Sequence, residues 1–167
     1  GKYIFGIGDD LIFPEKLKRQ VQLLENAPQE YGVVYSDAYL INEDGSPRHG
    51  TFIAMHKKFR KMPDGHIFDT LLEGNFIPAM TTLVKTACYK KVGLYDESLG
   101  YKDFDMWLRI AKEYKFLFSD YISAKYRISK NGLHLTKKDW GVDDYSIYSK
   151  HIEYGSVAVS YTHLRAH

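Results

Sequence analysis

Apolar residues recur along this chain with a helical period in some stretches and in short dense runs in others. Met106, Ile110 and Tyr114 fall at i, i+4 and i+8, and Trp107 and Leu108 widen the stripe, which predicts a helix packed into a core. Leu17, Val21 and Leu24 repeat the pattern, with Lys16, Lys18, Arg19 and Gln20 on the outer side and Pro14 where a helix begins, since its missing N–H is not needed there. Two shorter helices are predicted over 66–72 and 86–92, each closed by a glycine, Gly74 and Gly93. Runs rich in β-branched and aromatic residues predict strands over 2–7 (buried), 32–41, 81–84, 114–118 and 122–128. Strand, helix, strand in succession predicts an α/β fold, a mixed sheet flanked by helices. Residues 49–65 keep no sustained period and read as an excursion over the surface; residues 139–154, polar and aromatic, read as a terminal helix.

Composition narrows the picture. With 167 residues, 44% of them hydrophobic, the chain can bury a core of its own. A formal charge of +2, with both signs interspersed, argues against a nucleic-acid-binding face. The basic run His56-Lys57-Lys58-Phe59-Arg60-Lys61 reads as a solvated loop able to approach a phosphate. Cys88 is the single cysteine, which excludes an internal disulfide framework and a cage of several thiolates. No run of about 18 apolar residues predicts a membrane span, and no leader pattern opens the chain.

The candidate chemistry is carboxylate chemistry. The first strand runs through Gly8 into Asp9 and Asp10, and ligands of open α/β sheets bind outside the carboxyl ends of strands. Two acids there suit a divalent cation or a phosphate-bearing ligand; an acidic turn capping the next helix is the equal alternative. Asp103 and Asp105 stand at the start of the 106–114 helix, where free N–H groups favour negative charge. For each the choice is between a helix-start acid and a catalytic one; the first is the leading reading for Asp105, and the second for Asp103 on the strength of the rest of the chain. Arg127 is a candidate phosphate contact, with a structural hydrogen bond to a loop carbonyl as the alternative. His134 reads first as an exposed loop residue and second as a metal ligand; His49, His56, His66 and His151 show no paired spacing and read as surface residues. No Gly-rich phosphate loop, nucleophile elbow or His-Glu-x-x-His helix is present.

Three blocks taken in order carry a family resemblance. They are Gly8-Asp9-Asp10-Leu11-Ile12-Phe13-Pro14-Glu15-Lys16-Leu17 with the strand before it; Gly74-Asn75-Phe76-Ile77-Pro78 with Lys91-Val92-Gly93-Leu94-Tyr95-Asp96-Glu97; and Asp103-Phe104-Asp105-Met106-Trp107-Leu108-Arg109-Ile110-Ala111. Over residues 1–136 the chain resembles the second half of a family 2 glycosyltransferase of the GT-A fold. The resemblance implies inverting transfer of a sugar from a nucleotide-diphosphate donor to an acceptor hydroxyl, with a saccharide or lipid-linked saccharide as acceptor. It implies Asp103 as general base, Asp9 and Asp10 with a divalent cation (Mn2+ or Mg2+) and the donor, Arg127 at the donor phosphates, and His134 as a substitute metal ligand. Bacterial surface-polysaccharide assembly at the cytoplasmic face of the membrane is the usual setting.

By the same resemblance, the nucleotide-binding strands precede Gly1, so the fragment is expected to be inactive and to expose sheet edges. Residues 137–155 form a C-terminal extension, and 156–167 resemble adapter-derived sequence rather than protein. The chain departs from the family pattern at Ile7, Lys102 and Ser129. Lys102, beside Asp103, would favour the ionised carboxylate and weaken it as a base. These departures motivate the alternative of a degenerate saccharide- or partner-binding module. A metal-dependent phosphoesterase is a poorer third reading, lacking an evident ligand histidine.

Overall fold

The computed structural model describes residues 1–6, 8, 10–129 and 140–151, with the backbone alone at 140–144. In chain order the elements are β1 (Tyr3–Ile4), β2 (Leu11–Ile12), α1 (Lys16–Asn26), β3 (Tyr31–Asn42), β4 (Pro47–Thr51), α2 (Phe52–His56), α3 (Phe68–Leu72), a 3-10 turn (Ala79–Thr81), β5 (Leu83–Lys85), α4 (Thr86–Val92), α5 (Lys102–Glu113), β6 (Lys115–Ile128) and α6 (Trp140–His151). They form the mixed α/β architecture that the patterning predicts. The six-stranded sheet runs β1-β5-β3-β6-β2, with β4 paired to β3 off this path. β3 and β6 are its parallel centre, and β5 and β2 flank them antiparallel.

Strand alternation divides the core. Val33 and Tyr35 face the α5 layer, where Phe76, Met106, Trp107, Leu108, Ile110 and Phe116 are buried, whereas Val34 turns the other way to meet Leu24 of α1 and Leu83. β3 is thus covered on both faces. Gly32 is required for the close approach of the layers: a Cβ there would lie 2.4 Å from Cys88 Sγ and 2.9 Å from Tyr114. Cys88 is fully buried, and burial pushes its thiol up to about 11, which leaves it a packing group. Gly93 closes α4 at φ 86, donating its N–H to Tyr89 O.

Five readings from the pattern are corrected. Lys16 and Gln20, expected outside, are fully buried: Lys16 Nζ donates to Gln20 Oε1 (2.8 Å) and Thr82 O (3.0 Å), and Gln20 Nε2 donates to Thr81 O (2.6 Å). The last residue of the 3-10 turn, Thr81, and the one after it, Thr82, supply those backbone carbonyls, and they draw two long polar side chains inward. Burial pushes the Lys16 ammonium down to about 8. The first strand, expected short and buried over 2–7, is Tyr3–Ile4 and is not buried: β1 has β5 as its partner among the described strands, and Ile4 and Phe5 are each 41% exposed. The excursion at 49–65 begins in β4 and α2. Asp37 Oδ1 accepts the N–H of Ile53 (2.9 Å) and of Ala38 (2.8 Å), pinning α2 to β3 with Ile53 in the core. The two strands expected at 114–118 and 122–128 are one, β6; its register against β3 jumps from Ser36–Ser119 to Ala38–Ala124, so the expected break is a bulge. His151, expected on the surface, is 2% exposed.

Candidate active site

Asp103 sits in the first turn of α5, on the floor of a cleft of about 730 Å³. The periodicity of the helix explains the placement: Phe104, Met106, Trp107, Leu108 and Ile110 face the core and fix the axis, so the first turn is held against the cleft. The walls come from β4 and α2 (Arg48, Phe52, Met55, His56), the 74–80 segment (Gly74, Asn75, Ala79, Met80), the end of β6 (Tyr126, Ile128) and α6 (Tyr148). Desolvation is the largest influence on Asp103 and raises its pKa; hydrogen bonds from the Phe104 N–H, its own N–H and Asn75 work the other way without cancelling it. Asn75 Nδ2 lies 3.5 Å from Asp103 Oδ2. Lys102, beside Asp103 in the chain, is exposed, where water screens its charge. A carboxylate raised by burial and still open to a cleft is suited to take a proton.

Asp105, two residues on, is 1% exposed and does different work. Burial is the largest influence on it and acts upward, but His151, Arg109 and Lys150 together outweigh that and hold its pKa below the usual carboxylate value. Arg109 Nε donates to Asp105 Oδ2 at 2.8 Å while its other nitrogens donate to Val92 O (2.7 Å) and Leu94 O (2.9 Å). His151 Nε2 lies 3.3 Å from Asp105 Oδ1. Asp105 therefore ties the 92–94 loop and α6 to the helix that carries Asp103.

Asp10 precedes β2, and its Oδ1 accepts the backbone N–H of Arg127 at 2.8 Å. The Arg127 side chain donates to Glu43 O (2.7 Å) and Asn42 O (3.4 Å), the loop-carbonyl alternative. Ser129 Oγ donates to Glu43 Oε1 at 2.9 Å. The end of β6 thus lies between two acids: Asp10 is bonded to the backbone of Arg127, while Tyr126 and Ile128 line the Asp103 cleft. Asp9 and His134 lie outside the described residues. Among the described residues no three His, Cys, Asp or Glu side chains cluster as a metal site.

Sequence reasoning missed Asn75, Arg48, Tyr148 and His151. The first three reach the cleft from positions 28 or more residues from Asp103 in the chain, and nothing local marks Arg48 or Tyr148. Asn75 stood inside a block already singled out, and its amide was the one available signal.

No family model matches the chain. It is 28% identical over 122 residues to an uncharacterized glycosyltransferase of Rickettsia typhi, covering 72% of this chain and 37% of that protein. It is 28% identical over 143 residues to one from Methanocaldococcus jannaschii (82% and 46%), and 26% identical over 137 residues to one from Rickettsia prowazekii (77% and 40%). The chain therefore spans less than half the length of these relatives. Among solved structures it is similar to residues 1–349 of S. aureus TarS in complex with UDP-GlcNAc, with a TM-score of 0.57 and 17% identity over 88% of this chain and 40% of that one. At that identity the likeness is one of fold, and the fold is the glycosyltransferase fold that the resemblance implied.

Proposed function

We propose that this chain, whose curated relatives are named glycosyltransferases and whose fold is that of one, is the acceptor-side portion of an inverting family 2 enzyme. It moves a sugar from a nucleotide-diphosphate donor to an acceptor hydroxyl. The observation that carries the proposal is Asp103, a carboxylate raised by burial on the floor of an aromatic-walled cleft. Its oxygen takes the proton of the acceptor hydroxyl as that hydroxyl attacks the anomeric carbon, while the bond to the departing diphosphate breaks on the opposite face. Asn75 orients the carboxylate, and Asp105 with Arg109 and His151 fixes the helix that presents it.

The donor diphosphate is assigned to the Asp10 side of β2, with Arg127 as framework beside it and Asp9, its neighbour in the chain, as a second candidate acid. A divalent cation suits the chemistry there: Asp10 offers hard carboxylate oxygens at the end of β6, and such cations take one or two carboxylates plus substrate phosphates. When bound it would stabilise charge developing on the leaving diphosphate. His134 stands as a further candidate ligand.

The domain assignment follows the same reading: 1–136 as part of a GT-A domain whose nucleotide-binding strands lie upstream, 137–155 as a C-terminal extension that includes α6, and 156–167 as non-native. The chain by itself is then inactive, and the full-length protein works in bacterial surface-glycan synthesis at the cytoplasmic face of the membrane. No helix among the described residues is long and apolar enough to cross a membrane.

The test is the stereochemistry of turnover. The full-length protein is given UDP-GlcNAc, the donor bound by the TarS neighbour, together with other nucleotide sugars, and the released or transferred sugar is followed by 1H NMR before mutarotation. Product of inverted anomeric configuration is expected; retained configuration, or no turnover of any nucleotide sugar, refutes the assignment.

A further inference from the structure

The charge on the wall around Asp103 names a class of acceptor, given that the cleft is the acceptor site of the proposed transferase. Arg48 lines the cleft from β4, where its backbone pairs with Leu40, and its exposed side chain has no ion-pair or hydrogen-bond partner among the described residues. Its guanidinium presents a planar fork of donors matched to phosphate or carboxylate oxygens. His56, on the adjoining α2, lines the same cleft. Its Nδ1 is 2.9 Å from Phe52 O; a carbonyl only accepts, so Nδ1 carries the hydrogen and Nε2 is left for a ligand. The ring is held by stacking on Phe52 at 4.2 Å, and Phe52 meets Tyr126 edge-on at 5.0 Å. Beyond α2 the chain continues with exposed Lys58, Arg60 and Lys61.

Among the described lining residues Asp103 is the sole carboxylate, and it lies on the floor. An anionic ligand entering this cleft is repelled by the floor and drawn to the Arg48 wall. In the same lining the part-exposed rings of Tyr101 and Tyr126 suit a sugar ring. We propose that the acceptor is an anionic saccharide, bearing a phosphate or carboxylate that Arg48 binds with His56 beside it. The anion sets the orientation in which the hydroxyl reaches Asp103.

Phosphate could also arrive on the donor, so the test separates the two sources. Ligand-observed saturation-transfer NMR on the full-length protein, at low salt, compares glucose 6-phosphate, glucuronate, glucose and UDP, for the native protein and Arg48→Gln. The two anionic sugars are expected to bind about tenfold more tightly than glucose, with the advantage shrinking as salt is raised and vanishing in Arg48→Gln, while UDP affinity is unchanged. Equal binding of glucose and the anionic sugars, or an Arg48→Gln variant that keeps the preference, overturns the anionic acceptor and leaves the transferase reading intact. Loss of UDP binding in Arg48→Gln assigns the arginine to the donor and overturns it as well. If no sugar binds at any concentration, the acceptor reading of the cleft fails along with it. Nucleotide-sugar turnover with inversion tests the transferase reading separately.

Discussion

Replacing Asp105 by alanine should cost far more than a surface salt bridge would. The carboxylate is 1% exposed, and its removal strands Arg109, whose side chain is 22% exposed, and takes the partner from Nε2 of buried His151. Breaking a buried pair by deleting one member costs about 3–5 kcal/mol, because the survivor is left uncompensated. Arg109 keeps its bonds to Val92 O and Leu94 O, so the expected value is near the lower end, about 3 kcal/mol in urea unfolding of the full-length protein. The pH sign is fixed by the same contacts. The folded pKa of Asp105 lies below its unfolded value, so its contribution is present above about pH 4 and is lost as pH falls through the folded pKa. The difference in stability between native and Asp105→Ala proteins should therefore shrink on acidification. Hydrogen exchange should show residues 92–96 and α6 opening first, since both are tied through this carboxylate. The double replacement Asp105→Leu with Arg109→Met should recover much of the loss by removing the pair as a unit. An Asp105→Ala protein destabilised by less than about 1 kcal/mol, the value of an exposed pair, would refute the reasoning.

Three further outcomes follow from the geometry. Lys16 has a folded pKa of about 8 against 10.5 for the free side chain, so stability should rise by up to about 3 kcal/mol as pH goes from 8 toward 10.5; the rise should be missing in Lys16→Met, and equal slopes for the two proteins would disprove the burial argument. Gly32→Ala forces a Cβ against Cys88 and Tyr114 and should destabilise by about 1–3 kcal/mol, with partial rescue by Cys88→Ala; a neutral result in thermal denaturation would show that the layers are not that close. Asn75→Ala removes a hydrogen bond that lowers the Asp103 pKa, so the acid limb of the kcat/KM profile should move to higher pH; an unmoved limb would mean that Asn75 does not act on the base.

What the sequence disclosed, and what it did not, divides along physical lines. The α5 stripe was legible because amphipathic periodicity is local, and with it came the placement of Asp103 and Asp105 in the first turn. The difference in surroundings between those two acids comes mainly from partners far along the chain, Asn75 for one and Lys150 and His151 for the other, with Arg109 one helical turn away. Lys16 and Gln20 read as solvent-facing because nothing in their surroundings in the chain announces the carbonyls of Thr81 and Thr82. The aperiodic stretch after residue 48 gave no sign of α2, because that helix is set by the Asp37 carboxylate of β3 and a single buried residue, Ile53, rather than by a pattern. Arg127 offered two readings; its side chain lies on the Asn42 and Glu43 carbonyls, and its backbone holds Asp10.

The central claim is that Asp103 is a base held at a cost in stability, and one replacement tests it. In Asp103→Asn the amide keeps the shape and loses the buried charge. A carboxyl whose folded pKa is raised stabilises the fold only while protonated, a contribution lost as pH rises through that pKa, so at neutral pH the ionised form is a burden the amide lacks. Nucleotide-sugar turnover by full-length Asp103→Asn should fall by about 10²–10⁴ while its unfolding free energy stays level or rises by about 0.5–2 kcal/mol. Turnover close to that of the native protein, in a variant that is folded, would contradict the account.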